Sequence, residues 1–410
     1  MNIISIYVLL SAVWMSQVSK PGTILENLEK SLNEPSLDLN KLTQQPFTSE
    51  PMDSKTANLA KELIIKAYKK QIQNDRSKEL SEKVFRDGQL EMPYDFQIYG
   101  EKPSTGRSLW ISLHGGGGAP KQVNDQQWQN QKKLYKPEEG IYLAPRAPTN
   151  TWNLWHEPHI DRLFNKLVES LIATQDVNPN KVYILGYSAG GDGVYQMAPR
   201  MADYWAAAAM MAGHPNGVSL LSLRNVPFAL QVGANDSAYN RNKVATEYGE
   251  ALQKLQKNDP GGYENLVKIH EGKGHWMNLE DKIALPWMSK YSRNPIPQKV
   301  VWKQTGVPHY RSYWLAIPTM DMPIDSIIIA EYKGQTVEIS RAEKIKTVLV
   351  RFSDKMMDLD KTITITHQGQ KVFEGKVNRL IKTQIQTLQG RGDPLLIFDA
   401  EVSVTIPSKQ

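Results

Sequence analysis

The sequence predicts an α/β protein: a mostly parallel sheet with helices on both faces, a short helical N-terminal extension and a β-sandwich-like C-terminal domain. Three observations carry this. Between about residues 94 and 291, short apolar runs alternate with helical patterns, and elements of that kind pair as parallel strands covered by helices. Within that stretch the apolar run 182–185 leads into Gly186-Tyr187-Ser188-Ala189-Gly190, and a helical pattern over 192–201 follows directly. Beyond about residue 299 the chain turns almost entirely strand-like, with strict alternation at 348–352 and 362–366.

Taken in order, residues 3–15 are nearly all apolar and Lys20-Pro21-Gly22 ends the run. That is too short for a bilayer span, which takes ~20 residues. Residues 1–19 therefore read as a secretory signal peptide, although no Lys or Arg precedes the apolar run. A secreted or periplasmic location follows as an expectation. Residues 20–90 are polar with a helical period at 57–68, which predicts a helical extension packed on something larger. Residues 91–293 form the predicted α/β domain, with buried strands at 109–113, 140–144, 182–187, 206–211 and 228–232. A helix at 159–173 turns Ile160, Leu163, Phe164, Leu167 and Leu171 to one face. Asn294-Pro295-Ile296-Pro297 marks the linker to a β-rich domain, 294–410, whose runs at 326–332 and 396–406 are punctuated by glycine turns, Gly390-Arg391-Gly392-Asp393-Pro394 among them.

Composition narrows the chemistry. A 410-residue chain with 40% hydrophobic residues and 49 basic against 43 acidic side chains is globular, with a net charge of only +6. No basic cluster interleaves with aromatics, so a nucleic-acid face is not expected. The absence of cysteine removes disulfides, thiolate metal sites and a cysteine nucleophile, and suits an oxidising compartment. Neither a metal nor an organic cofactor is expected, and no stable membrane insertion.

The strand-glycine-serine-helix context at Ser188 matches a nucleophile elbow, in which a sharp turn leaves the hydroxyl exposed at a helix N-terminus. A serine needs a base in contact and an acid to orient that base. Asp236 follows the strand 228–232 through Gly233-Ala234-Asn235, and His275 lies in the glycine-rich loop Gly272-Lys273-Gly274-His275-Trp276 after the strand-like run 265–270. Ser188, Asp236 and His275 thus stand in the chain order such triads take. His270 falls within its strand and reads as structural. His214 precedes Asp236, and Asp192 is explained by the positive end of the helix dipole. His114-Gly115-Gly116-Gly117-Gly118 follows the strand 109–113, and its bare backbone can turn N–H groups toward a developing oxyanion. The expected donors are the N–H groups of Gly116 and Ala189. Ala119-Pro120 stands where a phosphate loop would want Lys-Ser/Thr.

Together, His-Gly-Gly-Gly-Gly, Gly-Tyr-Ser-Ala-Gly-Gly, Val-Gly-Ala-Asn-Asp with Asn240-Arg241 behind it, and Gly-Lys-Gly-His-Trp resemble α/β-hydrolase-fold serine esterases. The nearest branch is the polyhydroxybutyrate-depolymerase and feruloyl/acetyl-xylan-esterase group. The resemblance covers about residues 94–291 and implies an α/β-hydrolase fold, a Ser-His-Asp triad and small-molecule or polymeric ester substrates. Depolymerases of that group usually carry a cysteine in the oxyanion loop, and this chain has none, which leaves the general ester-hydrolase reading. Trp152, Trp155 and Trp276 are expected either to stack on a sugar or phenolic acyl group or to be core residues under the loops. The C-terminal domain offers polysaccharide contact, completion of the cleft, or cover for a sheet edge. A prolyl-oligopeptidase-like peptidase is the alternative enzyme, although its N-terminal propeller has no counterpart here. A binding protein on an inactive scaffold is the alternative outside catalysis. The sequon Asn235-Asp236-Ser237 and the tripeptide Arg391-Gly392-Asp393 are read as incidental.

Overall fold

The structure, a computed structural model, describes residues 21–35, 37–319 and 324–407. The expected leader, 1–19, lies outside the described residues. Eight strands form the central sheet: β1 (Val84–Asp87), β2 (Leu90–Tyr99), β3 (Arg107–Leu113), β4 (Gly140–Pro145), β5 (Val177–Tyr187), β6 (Ala207–Met211), β7 (Phe228–Gly233) and β8 (Asn265–His270). Their spatial order is β1-β2-β4-β3-β5-β6-β7-β8. The pairings β1–β2 and β2–β4 are antiparallel and the rest are parallel. A mostly parallel sheet in this order is the α/β-hydrolase arrangement the sequence implied. It places the C-terminal ends of β5, β7 and β8 along one edge of the sheet, with β6 between β5 and β7, where a ligand site is expected in an open parallel sheet.

The buried strands β4, β6 and β7 carry no exposed position, because helices cover both faces. The helix Pro158–Thr174 starts with proline in its first turn, and the five apolar residues expected on one face are all buried. Trp110 and Tyr183 stack at 4.1 Å across β3 and β5 on one side of the sheet.

The sheet begins earlier than residue 91. Residues 84–87 were expected to lie in a helical extension. Instead Lys83 adopts φ 53° and ends the helix Ser77–Glu82, and Gly88 at φ 61° turns β1 back onto β2. The unread signal was Gly88, the first of the two loop residues Gly88-Gln89 between Asp87 and Leu90. The helical part of the extension is real. Ser54–Asp75 starts at the N-cap Asp53, whose side chain accepts from the Thr56 N–H at 2.7 Å.

The C-terminal part contains two sheets. One joins Lys299–Lys303, Ile327–Lys333, Thr336–Glu343, Ile363–His367 and Gln370–Gly375; the other joins Arg311–Ser312, Leu315–Ala316, Thr347–Phe352 and Ala400–Thr405. All pairings are antiparallel except that of Thr336–Glu343 with Ile363–His367. Buried Ile328, Val337, Ile339, Val348, Val350 and Phe352 from the two sheets belong to one apolar cluster.

Two C-terminal expectations are corrected. The chain is not purely strand-like, because Ile381–Arg391 is a helix. The run 390–394 is not a turn between strands: Gly390 and Arg391 complete that helix, Gly392 caps it at φ 69°, and Arg391 and Asp393 are buried. The helix presents Ile381, Ile385 and Leu388 to Ala57, Ala60 and Ile64 of the N-terminal helix.

The apolar cluster beneath the eight-stranded sheet continues into the C-terminal sheets without a break. A buried ionic cluster reinforces the junction. Asp203 accepts from Arg311 Nη1 at 3.2 Å through its carboxylate and from Arg293 Nη1 at 2.6 Å through its carbonyl. Arg293 also pairs with Asp393 at 2.7 Å, and the Arg391 guanidinium lies over the Tyr204 ring. Among the described residues, no helix is long and apolar enough to cross a membrane.

Candidate active site

Ser188 sits between β5 and the helix Ala189–Arg200 with φ 58° and ψ −123°. A non-glycine residue at positive φ is strained and persists only where its surroundings fix it. Here the Ser188 N–H donates to Met211 O at 2.9 Å, and the flanking glycines admit no side chain. A Cβ on Gly186 would stand 2.2 Å from Gly190 O, and one on Gly190 would stand 2.1 Å from Leu113 O. The turn is built around its two glycines.

His275 and Asp236 converge on this serine. His275 Nε2 lies 3.0 Å from Ser188 Oγ, and His275 Nδ1 lies 2.8 Å from Asp236 Oδ2. The carboxylate can only accept, so Nδ1 carries the proton and Nε2 is free to accept from the hydroxyl. Asp236 is buried, with Arg241 Nη1 3.5 Å from its second oxygen, whereas His275 is partly open to solvent. The histidine loop is held from below. Tyr187 OH donates to His275 O at 2.6 Å and accepts from Met277 N at 3.0 Å. Burial raises the Tyr187 phenol above its ordinary value, so it stays a neutral donor.

The glycine loop lies across the serine. An ideal Cβ on Gly115 would approach Ser188 Cβ to 3.2 Å, and Gly116 takes φ 105°. Asn124, fully buried in the helix Lys121–Gln131, accepts from Gly117 N at 2.8 Å and donates to Ala119 O at 2.9 Å. His114 donates from Nδ1 to Gly115 O at 2.6 Å and accepts the Ala147 N–H at Nε2, which fixes a neutral tautomer. Burial pushes the His114 imidazole down to about 4.

This depression makes the fold acid-sensitive. Between about pH 6.5 and 4 the unfolded chain takes up a proton at His114 that the folded chain refuses, so stability falls as pH falls through that window. The loss approaches an order of 3 kcal/mol. His156, pushed down to about 4 by burial and by Arg200, adds in the same direction. The urea midpoint is expected to drop between pH 7 and pH 4.5, and an unchanged midpoint would contradict a buried neutral imidazole.

Of the three tryptophans, the structure leaves two at the surface and corrects one. Trp152 is 63% exposed and Trp276 49% exposed. Trp276 packs against Tyr187 with ring centroids 5.6 Å apart, and Trp152 lies against Gly118. Trp155 is fully buried, donates from its indole to His114 O at 3.0 Å, and packs edge-on against His114 and Phe164. It is a core residue under the glycine loop and not a substrate contact.

The rival residues take other work. Buried His270 bonds Gln231 Oε1 at 2.9 Å at the end of β8. His214 donates its backbone N–H to Asp192 Oδ1 at 2.6 Å. The helix dipole is therefore not the whole account of Asp192, whose carboxylate also ties the loop after β6 to the helix. Burial raises its pKa, against that hydrogen bond. Asn124 and Tyr187 were missed by sequence reasoning. Tyr187 stood inside the serine motif, whereas nothing local to Asn124 announced it.

No family model matches the chain, and no curated protein matches it. Solved structures overlap about half of it. A thermostable esterase aligns at 21% identity over 51% of this chain and 62% of its own, with a TM-score of 0.39. A feruloyl esterase module from Clostridium thermocellum, complexed with sinapinate, aligns at 14% identity over 50% of this chain and 85% of its own, TM-score 0.37. The Pyrococcus horikoshii acylaminoacyl peptidase aligns at 12% identity over 52% and 41%, TM-score 0.38. This chain thus spans under two thirds of the thermostable esterase's length.

Proposed function

We propose that this chain is a secreted serine hydrolase that cleaves carboxylic esters through an acyl-enzyme. The observation that carries the reading is His275, which bridges a strained, exposed serine and a buried carboxylate at 3.0 and 2.8 Å. In this reading Ser188 Oγ attacks the acyl carbon while His275 Nε2 takes its proton and then returns it to the leaving alcohol. Asp236 holds the ring and stabilises the imidazolium. Water repeats the sequence to release the acid.

The oxyanion donors in this reading are the N–H groups of Ala189 and Gly116. Ala189 supplies the first N–H of its helix, which has no partner within the helix. Gly116 belongs to the loop lying on Ser188. Asn124 holds that loop without touching substrate. Asn124→Ala is therefore expected to lower kcat by about 10- to 100-fold with KM little changed. Steady-state kinetics on a soluble ester checks this, and an unchanged kcat would remove Asn124 from the machinery.

Exposed Trp152 and Trp276 support substrates with a planar or sugar face, such as acetyl or feruloyl esters of polysaccharides. The test is hydrolysis of p-nitrophenyl esters of increasing chain length, acetylated xylan, methyl ferulate and a peptide p-nitroanilide, with fluorophosphonate labelling alongside. Turnover of short acyl or feruloyl esters is expected. Cleavage of the anilide alone would move the chain to the peptidases. Silence with no labelling would leave a binding protein.

A further inference from the structure

We propose that the C-terminal domain sets the position of the glycine loop through His309, a positioning residue acting by way of Asp161 and Arg200. The inference rests on Ser188 being the nucleophile and on the glycine loop supplying an oxyanion donor. A continuous run of hydrogen bonds joins the two places.

His309 lies between the C-terminal strands Lys299–Lys303 and Arg311–Ser312. Its backbone is clamped by the buried Gln304 side chain, which accepts from His309 N at 2.9 Å and donates to His309 O. Its ring reaches out of the C-terminal domain, and Nε2 meets Asp161 Oδ2 at 2.7 Å.

Asp161 is buried in the first turn of the helix Pro158–Thr174. Burial alone would push its carboxyl up, but Arg200 and His309 outweigh burial and hold it below the usual carboxylate range. The other carboxylate oxygen accepts from Arg200 Nη2.

Arg200 is the last residue of the helix that begins behind Ser188. Its guanidinium donates to His156 O at 2.8 Å and to Trp155 O at 3.4 Å. The Trp155 indole then donates to the carbonyl of His114, the first residue of the glycine loop. The same tryptophan wedges against the nucleophile helix, where a Cβ on Gly193 would stand 2.6 Å from Trp155 Cβ. One end of this run is therefore a C-terminal-domain histidine, and the other is the backbone beside the reacting serine.

Such a carboxylate–guanidinium junction has a cost if half-assembled. Arg200 is buried, and its Nε has no partner. Asp161 therefore shares the orientation of the guanidinium with the carbonyls of His156 and Trp155, and His309 holds the other oxygen of Asp161. Coupling along this run is read by combining substitutions at its two ends.

The test uses the full-length chain. His309→Ala is expected to lower kcat on a short p-nitrophenyl ester about 3- to 20-fold, with KM within about twofold, because the donor loop acts chiefly in the transition state. His309→Gln keeps an N–H donor toward Asp161 and is expected to recover most of the loss. Trp155→Phe removes the indole N–H together with part of a buried ring and should cost at least a similar factor. The His309→Ala/Trp155→Phe pair should lose no more than the larger single loss.

Wild-type kcat in folded His309→Ala, with or without a lowered melting temperature, would overturn the proposal. So would equal losses in the Ala and Gln variants, or losses that multiply in the pair. A wild-type chain that neither turns over esters nor reacts with a fluorophosphonate would instead take down the assignment of Ser188 beneath it.

Discussion

Ser188→Ala is expected to lower kcat on any ester substrate by about 10^4- to 10^6-fold, with KM almost unchanged. The argument is local. Ser188 Oγ is the atom that His275 Nε2 faces at 3.0 Å, and alanine removes it without altering Cβ. The strained backbone at φ 58° is served equally by either residue, so unfolding should shift by well under about 1 kcal/mol. What remains would be the residual catalysis that binding and oxyanion donors give to a water attack. Combining Ser188→Ala with His275→Ala should cost little more than either alone, since the groups work as a unit. Steady-state kinetics and fluorophosphonate labelling of the purified variants check this. Retained turnover in Ser188→Ala would place the chemistry elsewhere.

The second large effect is on stability. Asp203→Ala is expected to destabilise the chain by about 3–5 kcal/mol, because removing one partner leaves buried guanidinium groups uncompensated. Asp203 is 4% exposed and faces Arg311 at 3.2 Å and Arg391 Nε at 3.6 Å. Arg293 and Asp393 complete a set of three cations and two anions, so losing one anion doubles the imbalance. Asp203→Asn keeps the shape but not the charge and should fall between wild type and alanine. Denaturant midpoints of the three proteins measure the order. Since the cluster joins residues before and after the linker, a single cooperative transition is expected throughout. Two separated transitions, with only the later one moved, would mean that the two parts unfold independently.

Much of the candidate site was legible because its requirements are local. A strand, a glycine, a serine and a helix in direct succession admit few other readings, and the loops bearing Asp236 and His275 follow their strands closely. What escaped depended on distant partners. Asn124 is an ordinary helix residue in sequence and acquires its role only when the glycine loop folds over it. Trp155 could not be told from Trp152 in one short segment, since burial is decided by His114 and Phe164. The helix Ile381–Arg391 carries its apolar residues at helical spacing, yet threonine and glutamine between them let it pass as strand. Arg391 and Asp393 read as an exposed turn until Arg293 and Asp203, from far earlier in the chain, turned them into a buried pair. The strand Val84–Asp87 was hidden for another reason: four residues are too few for periodicity to speak.

The N-terminal helix Ser54–Asp75 closes on Ile381–Arg391, and Gln384 Nε2 donates to Ala57 O across 327 residues of chain. That contact fixes an order of events during synthesis. Ribosomes add about 5–20 residues per second, so the stretch between the two helices takes roughly 15–60 s to make. Over that interval the part of the Ser54–Asp75 apolar stripe that faces Ile381–Arg391 has no cover, because the segment that seals it is made later. Closure of this packing therefore waits on a distant, later segment, and a chain cut before residue 381 would lose the seal on Ser54–Asp75.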